Sequence, residues 1–363
     1  MGWWRVDADT LAGSRFVLSP LAETVAALKT LHRGTGAHPG ERRWLAAALP
    51  RYRERLAADP VTAALVRTAL GPRWNATFLT PTPGAAAPMP DAAGLFAREL
   101  AEVRATPPAV VRADLAETLG AADDSALPPP LLRHGDLAGR AAELLSWVWT
   151  ETVEPDWARR LRIIEADILA RTATLGSGGW AEALGGLRPG MRWLGGDRLR
   201  IGDAPSGEPL ELAAVELRFV PVTPTQSWLC WDVPAVDGRR VRSGRRYAVV
   251  YPCSGVLVDE ARRPVPEALA ALLGRGRAEL LALLDPPKTT SQLVALTGLP
   301  LGSVGRHLRI LREAGLALRR RAGRSVLYHR TAAGQVLLDA APSRARAPGA
   351  DGPGAAGPGA AGS

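Results

Sequence analysis

Between Thr289 and Gly315 the chain sets a helix cap, one glycine and an apolar stripe in an order that admits few folds. Thr289-Thr290-Ser291-Gln292 reads as a capping box, with Thr289 as N-cap and Gln292 reaching back from the third helical position. The short helix it opens carries Leu293, Val294 and Leu296 inward and stops at Gly298, a residue type that takes the left-handed C-terminal turn without strain. Leu299-Pro300 leads into a second helix, to about Ala314. At about 100° per residue, Leu301, Val304, Leu308 and Leu311 form one stripe, whereas Gly302, Arg306, Arg309 and Glu313 lie opposite, flanked by Ser303 and Gly305. The helix therefore has an apolar back and a basic front. Small residues near its N-terminus let a backbone approach closely, and its positive dipole end suits phosphate.

A hairpin is predicted next: Leu316 to Arg321, a turn at Ala322-Gly323, then Arg324 to Arg330, with Val326 and Tyr328 alternating against polar neighbours. Arg321 and Arg324 stand at its tip, where guanidinium forks match phosphate oxygens or a narrow minor groove. Helix, turn, helix and basic hairpin together make a winged helix-turn-helix. Charge agrees. The chain carries a net +9, and the segment from Arg262 to Arg330 holds 13 Arg or Lys against four acids, leaving the remainder neutral with 32 of each sign. A polyanion is the expected partner. Only Lys29 and Lys288 are lysines, so a compositional bias explains Arg over Lys, but not the local shortage of acids.

The run Ser303-Val304-Gly305-Arg306-His307-Leu308-Arg309-Ile310-Leu311-Arg312-Glu313-Ala314-Gly315-Leu316 resembles the recognition helix of the ArsR family of bacterial transcriptional regulators. Arg324-Ser325-Val326-Leu327-Tyr328-His329-Arg330-Thr331 is similar to that family's wing, and the resemblance covers roughly residues 265–341. It implies a homodimer that binds double-stranded DNA, each subunit placing its recognition helix in successive major grooves of a near-palindromic operator. It also implies DNA contacts from Ser303, Arg306, His307 and Arg309 on the helix, and from Arg321 and Arg324 on the wing. His307 lies at the edge of the apolar stripe and reads equally as a boundary residue. The family's usual Ser is absent at Gly305, which removes one side-chain donor. Metal-sensing members carry a Cys-x-Cys pair before the capping box or ligands on the last helix. Here those places hold Leu280-Leu281-Ala282-Leu283-Leu284 and Ala332 to Ala341, with Asp339 the one candidate, so no metal effector is expected. Further upstream, Arg15-Phe16-Val17-Leu18-Ser19-Pro20-Leu21-Ala22-Glu23-Thr24 resembles a domain of unknown function that precedes this winged helix in some actinobacterial regulators.

The expected fold class is α+β: a helical N-terminal region followed by a small sheet, then the winged helix. Three stretches are drawn: residues 1–260 as a regulatory or assembly domain, 265–341 as the DNA-binding domain, and 342–363 as a disordered Ala/Gly/Pro tail. Ser19 with Pro20 starts one helix; others are predicted from Glu41 to Ala57, from Pro60 to Leu70, and between Asp136 and Thr172 with a break near Pro155. Thr80 to Pro90 and Ala121 to Pro130 read as loops. After Gly176 the period changes, and Leu199 to Ile201, Val215 to Val220, Trp228 to Trp231 and Arg246 to Tyr251 read as strands.

With 47% apolar residues the chain has ample core, yet it contains no run long enough for a membrane span. Its first residues lack a signal-peptide core, so a cytoplasmic protein is expected. Cys230 and Cys253 read as buried small apolar residues, and His32, His38 and His134 are isolated, so no cofactor or metal is called for. All 11 tryptophans precede the basic segment; they either pack the core or line an apolar pocket for a small-molecule effector. Nucleophile-elbow, phosphate-loop, dinucleotide and zinc-protease motifs are absent, which disfavours an enzyme. The leading expectation is a sequence-specific transcriptional regulator, a repressor in sense. The alternatives are a protein-interaction module that uses the winged helix for assembly, and an enzyme fused to a DNA-targeting module.

Overall fold

Ser19 and Pro20 act as their types require: the Ser19 hydroxyl accepts from the Ala22 amide at 3.0 Å and Pro20 opens a 14-residue helix that ends at Gly34, with φ +71°. The computed structural model describes residues 2–340 except 38, 72–73, 85–90, 203–208, 233–234, 237–238, 241–244, 254–264, 285–286 and 323–324. The expected tail, 342–363, lies outside the described residues. In chain order the helices of the first part are α1 (Ala8–Gly13), α2 (Pro20–Arg33), α3 (Pro39–Ala58), α4 (Pro60–Ala69), α5 (Ala92–Arg104), α6 (Pro108–Leu119), α7 (Pro129–Leu132), α8 (Leu137–Val148) and α9 (Trp157–Leu184). Helices α2 and α8 are buried along most of their length and form the centre of the largest core, with Phe96 stacked on Trp149 at 4.7 Å.

Two expectations need correction here. The stretch 121–130 is not all loop, because α7 begins at Pro129 after a 3-10 turn at Asp124–Ala126. Nor does the helix before the sheet stop at Thr172: after the break around Pro155, where a π turn (Trp149–Val153) meets a 3-10 turn (Glu154–Asp156), α9 runs on and helical structure reaches Leu184. Gly179, at φ +70° and ψ −171°, is non-helical, so two helical segments of α9 meet there. Of the predicted loop Thr80 to Pro90, residues 80–84 form neither helix nor strand, and 85–90 lie outside the described residues.

The strands are β1 (Trp3–Val6), β2 (Arg15–Phe16), β3 (Arg192–Gly195), β4 (Arg198–Arg200), β5 (Leu210–Leu212), β6 (Glu216–Val222), β7 (Trp228–Trp231), β8 (Ala235–Val236), β9 (Arg239–Arg240) and β10 (Arg246–Pro252). They form two four-stranded sheets, β3-β4-β1-β5 and β2-β6-β10-β7, and a β8-β9 pair. In the second sheet β10 lies parallel to β6, Val249 opposite Phe219, and antiparallel to β7. Alternation along β10 serves two cores: Ala248 and Val250 face the helices, while Tyr247, Val249 and Tyr251 join Trp4 and Phe219 on the other side. An ion pair fastens helix to sheet. Arg160 of α9 reaches Glu23 of α2 at 2.5 Å, and Glu23 also accepts from the Thr223 amide at 2.7 Å and from its hydroxyl. Glu23 is 0% exposed and Arg160 4%, so this charge is compensated inside the protein.

The remaining elements are α10 (Glu267–Leu273), α11 (Arg275–Leu283), β11 (Lys288–Thr289), α12 (Thr290–Thr297), α13 (Leu301–Glu313), β12 (Ala317–Ala322), β13 (Ser325–Arg330) and α14 (Ala332–Asp339), the strands ordered β11-β13-β12. Their core of Leu280, Leu281, Leu293, Val304, Leu308 and Leu311 also takes in Ile163, Ile164 and Ala166, so α9 packs directly on α12. The chain is α+β as expected, with a helical N-terminal region and a C-terminal winged helix.

Candidate nucleic-acid interface

Backbone geometry sets the angle between α12 and α13. Gly298 at φ +70° ends α12, its amide donating to the Val294 carbonyl at 2.9 Å, and extended Pro300 (ψ 144°) precedes α13. Thr289 lies just before α12, as an N-cap should, but it also ends the edge strand β11, paired with Leu327. The Gln292 side chain lies outside the described residues.

Helix α13 keeps the expected two faces with one exception. Val304, Leu308 and Leu311 are buried, but Leu301 is 62% exposed, because the first residue of the helix overhangs the edge of the core. Gly302, Gly305, Arg306 and Arg309 are exposed together, and Ser303 is half-buried at their margin. Arg306 has no ion-pair or hydrogen-bond partner among the described residues. Arg309 faces Glu313 one turn on, Nε to Oε1 3.9 Å, with both side chains more than half exposed.

His307 is half-buried and belongs to a different contact. Its Nε2 lies 3.1 Å from where a Cβ on Gly276 would stand, so the imidazole occupies the seam between α13 and α11, at the flank of the exposed face. Its Nδ1 is buried without a hydrogen-bond partner, and burial, then Arg277 and Arg306, hold its pKa below the usual histidine value. A neutral ring wedged against a helix explains why this position sits beside the apolar stripe.

In the wing, Ala322 pairs with Ser325, so the strand runs one residue further than predicted, and Gly323 of the expected turn lies outside the described residues. Arg324 lies outside the described residues. Arg321 is exposed, and so are Arg319 and Arg320, which sequence reasoning passed over. Their signal was legible: three consecutive arginines on a strand place charge on both of its faces, and arginine is almost never fully buried without a partner. Arg330, by contrast, is structural, donating from one Nη1 to the Leu281 and Ala282 carbonyls at 3.2 Å each. Thr331 caps α14 through the Gly334 amide at 3.1 Å and bonds the Gly315 carbonyl at 2.8 Å, tying the wing base to the end of α13.

Where metal sensors carry ligands, Leu280, Leu281, Leu283 and Leu284 are buried in the core, and Asp339 accepts from Gln335 at 2.8 Å. Among the described residues no cluster of three His, Cys, Asp or Glu side chains is assembled. Cys230 and Cys253 are buried free thiols, with burial pushing Cys230 up to about 12. No helix among the described residues is long and apolar enough to cross a membrane.

A helix with an exposed basic face, set beside a basic strand of a three-stranded sheet, defines a DNA-binding winged helix of the kind found in transcription regulators. Residues 277–317 match the family model for the bacterial regulatory protein, arsR family, a span running from α11 to the first residue of the wing. The chain thus carries an ArsR-family helix-turn-helix domain. No curated protein and no solved structure matches it.

Proposed function

We propose that the protein is a homodimeric, sequence-specific repressor acting in the cytoplasm, without catalytic activity. Helix α13 reads the major groove through Arg306 and Arg309, and the wing holds backbone or minor groove through Arg321 and Arg324. The observation that carries this reading is the exposure of Arg306 and Arg309 on α13 together with that of Arg319 to Arg321 on β12. Ser303, at the margin, fits a phosphate contact; His307 is better placed to hold α13 against α11.

Residues 1–260 serve as the regulatory or assembly body and 265–341 as the DNA-binding domain. Helix α9 is the natural coupling element, since it gives Arg160 to the buried pair with Glu23 and Ile163 and Ile164 to the core beneath α12. A small-molecule effector bound to the body acts on DNA affinity by shifting this helix.

Footprinting on fragments selected from genomic DNA tests the reading, because only a reader of base edges protects a discrete site. If each subunit neutralises roughly four phosphates, log K against log salt slopes about −7 for the dimer. A flat salt dependence with no protected site refutes it and favours an assembly module.

A further inference from the structure

The first sheet turns a set of arginines to solvent. In the order β3-β4-β1-β5, residues directly opposed across strands share a face, and Trp193, Leu199 and Trp4 take the inner one, against the core. The outer face reads Arg192, Arg200, Trp3 along one row and Arg198, Arg5, Glu211 along the next. Two of the opposed pairs, Arg192 with Arg200 and Arg198 with Arg5, set like charge against like. A strand spacing of about 4.8 Å and a two-residue rise of about 6.7 Å gather all four into one patch.

Both acids on these strands and on the turn between β3 and β4 serve Arg5. Asp197 meets its Nε at 3.2 Å and Glu211 its Nη1 at 2.7 Å, while the half-buried Trp3 ring lies 5.9 Å from its guanidinium carbon. Arg200 is half-buried and donates to the Gly202 carbonyl at 3.2 Å. Arg192 and Arg198 are exposed and have no ion-pair or hydrogen-bond partner among the described residues. Like charges directly opposed across strands destabilise a sheet, so this face gains stability when an anion bridges its guanidinium groups. An open sheet face encloses no small molecule, whereas a duplex lays one negative charge along every 1.7 Å or so of its axis, in reach of several arginines together. Guanidinium forks also match phosphate oxygens two at a time. Duplex DNA is the polyanion for which this chain already carries a domain.

We propose that this face is a second DNA contact, in which Arg192, Arg198 and Arg200 hold the phosphate backbone of a duplex without reading its sequence. This contact rests on the DNA reading for its partner, yet it uses no residue of the winged helix, so the two can fail separately.

The test is fluorescence anisotropy of the full chain with a selected operator, a scrambled duplex of equal length, and labelled poly-glutamate, over a range of salt. Wild type and Arg306→Ala are compared with two triple variants, Arg192→Gln/Arg198→Gln/Arg200→Gln and Arg192→Lys/Arg198→Lys/Arg200→Lys. The Gln triple weakens binding to both duplexes alike, roughly tenfold at low salt, and lowers the salt slope by about one for each arginine that meets a phosphate. The Lys triple stays within about threefold of wild type, because phosphate also accepts a point charge. The DNA-free Tm of the Gln triple is equal or higher, since its opposed like charges are gone; a structural role for the arginines would lower it. Arg192→Gln alone, on the edge strand β3, weakens both duplexes about threefold and keeps the test decisive should the triple variant fail to fold. Arg306→Ala instead weakens the operator more than the scrambled duplex. If wild type does not discriminate the two duplexes but the Gln triple still loses both, the sheet contact stands and the reading of α13 falls. Wild-type affinity of the Gln triple for both duplexes overturns the proposal and leaves α13 untouched. A Gln triple that loses poly-glutamate but keeps both duplexes also overturns it, in favour of an acidic protein partner.

Discussion

Replacing Glu313 with Gln isolates the electrostatics of the reading helix in a single atom exchange. Glu313 sits 3.9 Å from Arg309 on the exposed face of α13, and both side chains are more than half in solvent. An exposed i,i+4 pair contributes roughly 0.3–0.5 kcal/mol, all of which Arg309 must forgo to engage a phosphate or base edge. Removing the carboxylate takes away that competition and the repulsion between it and the duplex. With two subunits on an operator the gain is about 0.6–1 kcal/mol, or roughly three- to fivefold in affinity at low salt. Arg306 has no such competitor, and Arg306→Ala weakens specific binding by roughly 1–3 kcal/mol if it reaches a base edge. Fluorescence anisotropy with a selected operator and a scrambled duplex, at several salt concentrations, reads both. Tighter binding for Glu313→Gln with weaker binding for Arg306→Ala is the expected pair. Unchanged or weakened binding for Glu313→Gln, together with an inert Arg306→Ala, refutes the placement of α13 on DNA.

Arg160→Met leaves the Glu23 carboxylate buried without its cation and costs about 3–5 kcal/mol, read as a lower urea midpoint; a loss under 1 kcal/mol would mean that the Thr223 bonds alone suffice. Glu99 is buried, accepts from the Leu21 amide at 2.9 Å, and has its pKa raised to about 7, chiefly by burial. Its folded pKa exceeds the unfolded value, so its contribution is fully present below about pH 4.5 and disappears as pH rises through about 7. Glu99→Gln therefore flattens the stability profile over that window by about 3 kcal/mol, and parallel profiles for wild type and variant would contradict this.

Local chemistry was legible wherever one residue settles a backbone state. Ser19 and Pro20 fixed the start of α2, Gly298 the end of α12, and the spacing of Val304, Leu308 and Leu311 the buried side of α13. Legibility failed where the deciding partner is remote in sequence. Trp3–Val6 is too short to show alternation, and becomes a strand only because residues 198–200 and 210–212 flank it. The predicted helix stops at Thr172, ahead of a glycine-rich run that lowers helix propensity, yet a further helical segment follows the break at Gly179 and buries Ala183 and Leu184. In the interface, the exposure of Arg306 and Arg309 followed from periodicity. The turn of His307 toward Gly276 did not, because it depends on a missing side chain in a neighbouring helix.

The placement of β1 and β2 has a consequence for biosynthesis. Residues 3–16 supply the third strand of one sheet and an edge of the other, whose partners are translated some 200 positions later. The body therefore closes only after β10 has emerged, just ahead of the DNA-binding segment. A nascent chain halted before that point holds its opening tryptophans unsheathed, whereas one that passes it offers the winged helix a finished bed to settle on.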